Sequence, residues 1–281
     1  MNPGDRRGLD EARRLLESGK LREAYSRLLH LTEKYPDDEQ VRGHMAEALV
    51  MQGATHAEAG EFGRAMTEFE RSIRFSETPE AHINLGKIHL VKGEFEDAFS
   101  EYSKALDLNE DLPVAHEALG HYFLETKDFD QAANAFGRSI AKGGHTRGVY
   151  LGIWEAFVGA GKMDRAHDAI MDALQRWPED DVILGWVGLS FAVAQNDHES
   201  AEEYWKKAIA RNPKNLPSLF NLSGLAALRG HRQEALDYLK RCVAIDKSRT
   251  LEMWGADRQD PRRKFAAYEG DEDFLDVLGV I

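Results

Sequence analysis

Eleven histidines and 49 carboxylates in a chain of 281 residues are the groups that hold divalent metals or exchange protons, so their spacing is the first question. His82, His89, His116 and His121 are spread along the chain with no cysteine among them. No H-E-x-x-H occurs, the spacing that would set two imidazoles and a carboxylate base on one helical face. No glycine-rich loop ending in Lys-Ser or Lys-Thr could cradle phosphate, and no G-x-S-x-G elbow could present a nucleophile. The one cysteine, Cys242, can form no intrachain disulfide, which agrees with a reducing compartment. A basic run, Arg258, Arg262, Arg263 and Lys264, lies beside Glu269, Asp271, Glu272 and Asp273. Neighbouring opposite charges of this kind are expected to pair or to be solvated rather than to bind phosphate. The reading is therefore of a protein that is not an enzyme, with no catalytic residues, no metal site and no cofactor.

Composition narrows the remaining classes. With 42% hydrophobic and 30% charged residues the chain has the apolar material for an ordered fold. A net charge of -13 disfavours nucleic acid, which requires clustered cations that displace counterions from phosphates. No apolar run reaches the roughly 20 residues of a membrane span. The start, Met1-Asn2-Pro3-Gly4-Asp5, lacks the apolar stretch of a secretory signal. The expected location is the cytoplasm, with no membrane insertion.

If side chains do no chemistry by themselves, the elements that arrange them carry the information, and these elements repeat. Gly93-Glu94-Phe95-Glu96-Asp97-Ala98 matches Gly60-Glu61-Phe62-Gly63-Arg64-Ala65 and Gly161-Lys162-Met163-Asp164-Arg165-Ala166. Counterparts of the closing alanine are Ala24, Ala65, Ala98, Ala132, Ala166, Ala201 and Ala235, separated by 41, 33, 34, 34, 35 and 34 residues. Within a period, Leu85, Gly86 and His89 mark one helical stripe, and Phe95, Ala98, Tyr102 and Ala105 mark a second. Each period is thus two helices. Small residues at recurring sites let the paired backbones approach, and a bulky residue four positions after the alanine fills the space beside them. Pro36, Pro178 and Pro213 fall where second helices should end.

This pattern resembles the tetratricopeptide repeat, with its small residue at position 8, alanine at 20, aromatic at 24 and small residue at 27. The resemblance implies an all-α, right-handed superhelical solenoid of about seven repeats: 5–38, 39–78, 79–112, 113–146, 147–180, 181–215 and 216–249. Residues 1–4 are an N-terminal extension and 250–281 a C-terminal capping segment or tail. Cys242 takes position 27 of the last repeat and is expected to be a buried structural thiol. Three departures stand out. The second repeat carries about seven extra residues at Ala54–Gly60, which either lengthen its helices or form a loop. Trp154 stands where repeat five should have a small residue, just after the glycine-rich Gly143–Gly148, a candidate hinge or bend. In the tail, Phe274, Leu278 and Ile281 share one helical face, which should dock on the end of repeat seven as a cap or on the groove as a plug.

In the family the resemblance indicates, first helices line a binding surface. Positions 2, 6, 9 and 13 point about 150° or more from the buried stripe at 100° per residue. In repeat two they are Gln40, His44, Glu47 and Met51, and the grooves of repeats two to four read as polar. Repeat five offers Gly148, Gly152, Glu155 and Gly159, and repeat six Val182, Trp186, Leu189 and Val193. With Phe220, Asn221 and Leu228 of repeat seven, these form the expected partner-binding groove, around the aromatic anchor Trp186. The stripe could instead receive the chain's own tail, or belong to the core if the register is off by a residue or two. Asn84 and Asn221 match an asparagine that some family members use to grip a terminal carboxylate, but the other basic and asparagine partners are missing, so that clamp is not expected. The expected function is a protein interaction scaffold or adaptor that holds a peptide or amphipathic helix of another protein. The alternative is a self-assembling structural protein whose tail or groove contacts build a homo-oligomer.

Overall fold

The computed structural model describes residues 1–260 and 263–280; Pro261, Arg262 and Ile281, named above in the basic run and the tail face, lie outside the described residues. Among the described residues there is no strand, and the chain forms sixteen α-helices. It divides into two compact units, Met1–His145 and Thr146–Ile281.

The first unit holds four helix pairs: α1 (Pro3–Glu17) with α2 (Leu21–Lys34), α3 (Glu39–Glu58) with α4 (Phe62–Phe75), α5 (Pro79–Lys92) with α6 (Phe95–Leu108), and α7 (Pro113–Glu125) with α8 (Phe129–Ala141). The repeating alanines Ala24, Ala65, Ala98 and Ala132 are all buried. Opposite them a glycine of the first helix lies against an aromatic ring of the second: Gly53 on Phe69, Gly86 on Tyr102 and Gly120 on Phe136. A Cβ at these glycines would sit 2.5, 2.5 and 2.6 Å from the ring, so only glycine admits the ring this close. The extra residues of the second repeat lengthen a helix, but not at Ala54–Gly60 as expected: α3 runs unbroken for 20 residues and ends at Glu58, with Ala59 and Gly60 in the turn. Because Gly53 is the small residue facing Phe69, the added turns lie at the start of α3. The stripe counted from Glu39 therefore shifts by seven, and the positions equivalent to the other repeats are Glu47, Met51, Ala54 and Glu58.

The second unit continues with α9 (Arg147–Gly159) and α10 (Met163–Arg176), α11 (Asp181–Ser190) and α12 (His198–Arg211), and α13 (Leu216–Leu228) and α14 (Arg232–Ile245), followed by α15 (Lys247–Gln259) and α16 (Glu272–Leu278). In its first pair the size pattern is reversed. Trp154 is buried at the small-residue site, and the position of the aromatic is taken by the smaller Ile170, also buried. The next pair carries the longer step of 35 residues. Gly188 packs on Trp205, 17 residues on, where Gly86 and Tyr102 are 16 apart. The additional residue is absorbed by one wide π-helical turn, Phe191–Gln195, closed by Asn196 in the left-handed region (φ 52°). A single inserted residue is what a π turn accommodates without breaking the helix.

The tail forms a cap. Phe265, Phe274 and Leu278 join Trp254 and the buried face of α14, including Leu236, Leu239 and Cys242, in one core. Phe274 stacks on Tyr268 at 4.7 Å. Arg232 of α14 donates to both carboxylate oxygens of Asp271 at 2.8 and 2.7 Å. Asp271 in turn accepts from the backbone N–H of Asp273 and Phe274 at the start of α16. Cys242 is fully enclosed, and burial pushes its thiol up to about 12, so it has no reactive thiolate near neutral pH.

Candidate partner-binding groove

The groove is built by α11 and α13, whose starts are tied together. Asp180 accepts from the N–H of Val182 and Ile183 at 3.0 Å each and caps α11. Asn215 accepts from Ser218 N–H at the head of α13, and its amide donates to the Asp181 carbonyl at 3.0 Å and carboxylate at 2.8 Å. Between these fixed ends lies a cavity of about 390 Å³, walled by Val182, Gly185, Trp186 and Leu189 on one side and Leu216, Pro217 and Asn221 on the other. A second cavity, of about 580 Å³, shares Leu189 and Asn221 with it. That cavity runs on along Ala192, Val193 and Asn196 of the π turn, Leu225 and Leu228 of α13, and Asp257, Asp260, Arg263 and Lys264 from α15 and the tail. The two form one groove with mostly apolar walls. Trp186 stands partly exposed in it, its ring edge-to-face with Trp154 at 4.7 Å. The indole N–H of Trp154 is buried without a hydrogen-bond partner.

The tail closes one side of this groove and supplies its charge. Lys264 lies along α13. Its ammonium donates to Asn221 Oδ1 at 3.0 Å and lies 5.2 Å from the centroid of the Phe220 ring. Its methylenes occupy the space left by Gly224, where a Cβ would fall 2.6 Å from Lys264 Cδ. Burial lowers the Lys264 pKa, although Asp257 and Asp260 nearby oppose the shift. Asp257 accepts from the backbone N–H of Lys264 and of Phe265, both at 3.2 Å.

Of the residues expected from sequence, Val182, Trp186, Leu189, Val193, Asn221 and Leu228 line this groove. Phe220 does not: it is 2% exposed beneath Phe265 and Lys264, because the tail lies over that part of α13. Gly152, Glu155 and Gly159 of α9 line neither cavity, and Gly152 is buried. Sequence reasoning missed Lys264 as a groove residue because the run that contains it read as a self-paired surface cluster. Arg263 does pair internally, with Glu269 at 2.9 Å. The signal for Lys264 was Gly224, a glycine in a helix with no turn to explain it.

Three of the histidines brace helix pairs. His56 bonds Glu61 at 2.7 Å and His89 bonds Glu94 at 2.6 Å, one period apart, each bracing the turn between two helices. His89, Glu94 and Asp97 are close enough to share a cation, with ligand atoms within 4.8 Å of one another, but Lys92 already holds Glu94 at 2.6 Å. The recurrence of the His–Glu pair without a third ligand in the preceding repeat marks it as structural. His82, buried, lies between Glu101 at 2.6 Å and Glu77 at 3.1 Å. Burial opposes the Glu101 charge, but hydrogen bonds from His82 and Lys104 outweigh it and hold the carboxyl below its ordinary 4.5. A depressed carboxylate stabilises the fold above its unfolded pKa, and that contribution is lost as pH falls through the folded value. Glu101→Gln should therefore narrow the stability gap to the native chain as pH drops below about 4.5, as read from urea midpoints over that range.

Two family models described as tetratricopeptide repeat match the chain, at residues 79–112 and 192–249. No curated protein sequence matches it. Among solved structures, a tetratricopeptide repeat protein from Parabacteroides merdae superposes with a TM-score of 0.62 at 13% identity, covering 90% of this chain and 98% of that one. Pseudomonas aeruginosa PilF gives 0.64 at 16% identity over 76% and 98%. Yeast Tom70 gives 0.63 at 15% identity, over 92% of this chain and 53% of its own. At these identities the likeness is one of fold.

Proposed function

This chain is a tetratricopeptide-repeat protein, and from that premise we propose that it works as a scaffold or adaptor, holding a peptide or helix of another protein in the groove between α11 and α13. The supporting observation is the pair of adjoining cavities around Trp186, Leu189 and Asn221, whose walls combine apolar side chains with polar and charged ones. Groove recognition of this kind takes alternating anchors from an amphipathic segment. No helix among the described residues is long and apolar enough to cross a membrane. A homo-oligomer assembled through the tail draws no support, since Phe274 and Leu278 are buried against this chain's own α14 and α15.

Trp186→Ala tests the reading. An aromatic anchor at the centre of an interface contributes about 2 kcal/mol or more, so partner capture should weaken roughly thirtyfold. The edge-to-face contact with Trp154 also disappears, at a cost of about 1 kcal/mol in stability. Titration of a captured partner, with a thermal melt as control, checks both; unchanged affinity would remove Trp186 from the site.

A further inference from the structure

We propose that the ring cluster formed by α6 and α7 is a second docking surface, one that takes arginine side chains from a basic segment of a partner protein. The surface lies in the first unit and is independent of the groove between α11 and α13. Phe95 and Phe99 sit one turn apart on α6 and are 37% and 43% exposed. Tyr122 and Phe123 of α7, both half-buried, close on them. From centroid to centroid, Phe99 lies 5.5 Å from Tyr122 and 6.4 Å from Phe123, Phe95 lies 6.4 Å from Tyr122, and the two α7 rings are 5.2 Å apart. Rings gathered and left open in this way differ from the single apolar residues scattered over an ordinary surface, and mark an interaction site.

Two observations choose the occupant. The first is charge. Residues 79–146 carry twelve Asp and Glu against six Lys and Arg, so about a quarter of the chain holds nearly half of its net charge of -13. Lys92 is held by Glu94 and Lys104 by Glu101, each at 2.6 Å. Glu96, next to Phe95, and Glu125, one turn from Tyr122, are exposed and make no ion pair among the described residues. The second observation is how the chain treats its other rings. Phe157 lies 5.1 Å from the Arg165 guanidinium, Tyr204 lies 4.5 Å from the Lys207 ammonium, and Tyr238 lies 5.7 Å from the Arg241 guanidinium. Phe123 is the counterpart of Phe157 one period of 34 residues earlier, and the residue 34 before Arg165 is Gln131. Among the described residues no Lys or Arg lies over a ring of the cluster, Lys127 in the turn after α7 included. Electronegative ring faces without a cation, in acidic surroundings, suit a planar guanidinium that stacks on a ring while it pairs with a carboxylate.

The test uses the full chain and two fluorescent peptides with blocked ends, one with arginine at every fourth position of a Ser/Ala sequence, the other with the neutral isostere citrulline at the same positions. The native chain should bind the arginine peptide at least about tenfold tighter than its twin. Phe95→Leu with Phe99→Leu keeps apolar bulk but removes both exposed rings, and should weaken arginine-peptide binding about tenfold; Phe95→Tyr with Phe99→Tyr should preserve it. Gln131→Arg, which supplies from the chain itself the cation that Arg165 gives Phe157, should also weaken binding severalfold, whereas the same charge added at Ser26→Arg on α2 should not. Equal affinity of the native chain and the leucine variant would mean that diffuse negative charge alone holds the peptide, and overturns the ring assignment. Equal binding of the two peptides overturns the cation, and no binding of either overturns the surface. If the leucine variant does not fold, the comparison of Gln131→Arg with Ser26→Arg decides: equal weakening by both overturns the ring assignment.

Discussion

Gly120→Leu should destabilise the first unit by about 3 kcal/mol, at the upper end of overpacking costs, whereas Gly137→Leu, in the partner helix of the same pair, should stabilise it by up to about 1 kcal/mol. Both glycines are helical, and leucine is the better helix former at each. What separates them is the space available. A Cβ at Gly120 would lie 2.6 Å from two carbons of the Phe136 ring, while one at Gly137 meets nothing within 4 Å. Phe136 is fully buried, so its ring has nowhere to swing. If steric conflict with the ring is the cause, Phe136→Ala should be far less damaging in the Gly120→Leu background than alone, giving a coupling energy of the size expected for residues in contact. Chemical denaturation of the two singles and the double measures it. Equal destabilisation at Gly120 and Gly137 would show that backbone freedom, not ring packing, is what these glycines provide.

The same interlock explains why the fold was legible. Seven alanines at a near-constant spacing, six of them with a small residue before and a bulky one after, favour one packing solution, and the helix pairs of both units follow it, with Trp154 and Ile170 exchanging sizes around Ala166. Legibility failed where a residue was inserted without a local mark. The turns added to α3 look like any other helix, so the stripe counted from Glu39 was displaced until the contact of Gly53 with Phe69 fixed the register. The 35-residue step did announce an insertion, but spacing does not distinguish a loop from the π turn at Phe191–Gln195. The groove was legible where it depends on one helix's periodicity, as with Val182, Trp186, Leu189 and Val193. It was not legible where distant segments meet. That Lys264 would cover Phe220 and enter the groove depends on how the tail turns after α15, and no periodic signal spans that turn.

Removing residues 270–281 should lower the stability of the second unit more than any other change considered, and Phe274→Ala alone should cost about 4 kcal/mol. Phe274 and Leu278 are fully buried, with rings of Trp254, Phe265 and Tyr268 grouped around Phe274. Burial of two such side chains contributes about 1.5–3 kcal/mol each before ordering costs, and deletion would also strip the cover from Leu236, Leu239 and Cys242. The ion pairs of Arg232 with Asp271 and Asp273 are too exposed to replace that burial, so Arg232→Ala should be much milder. An end repeat without a polar outer face leaves apolar surface in water, and solenoids lose their terminal repeats first when it does. The truncated chain should therefore melt in two steps, with the first unit unfolding near its native midpoint and the second earlier. Its thiol Cys242, enclosed in the native chain, should become reactive toward a thiol reagent at the temperature of the first step. A truncation that melts as the native chain does, with Cys242 still protected, would mean that α16 contributes nothing to the core it covers.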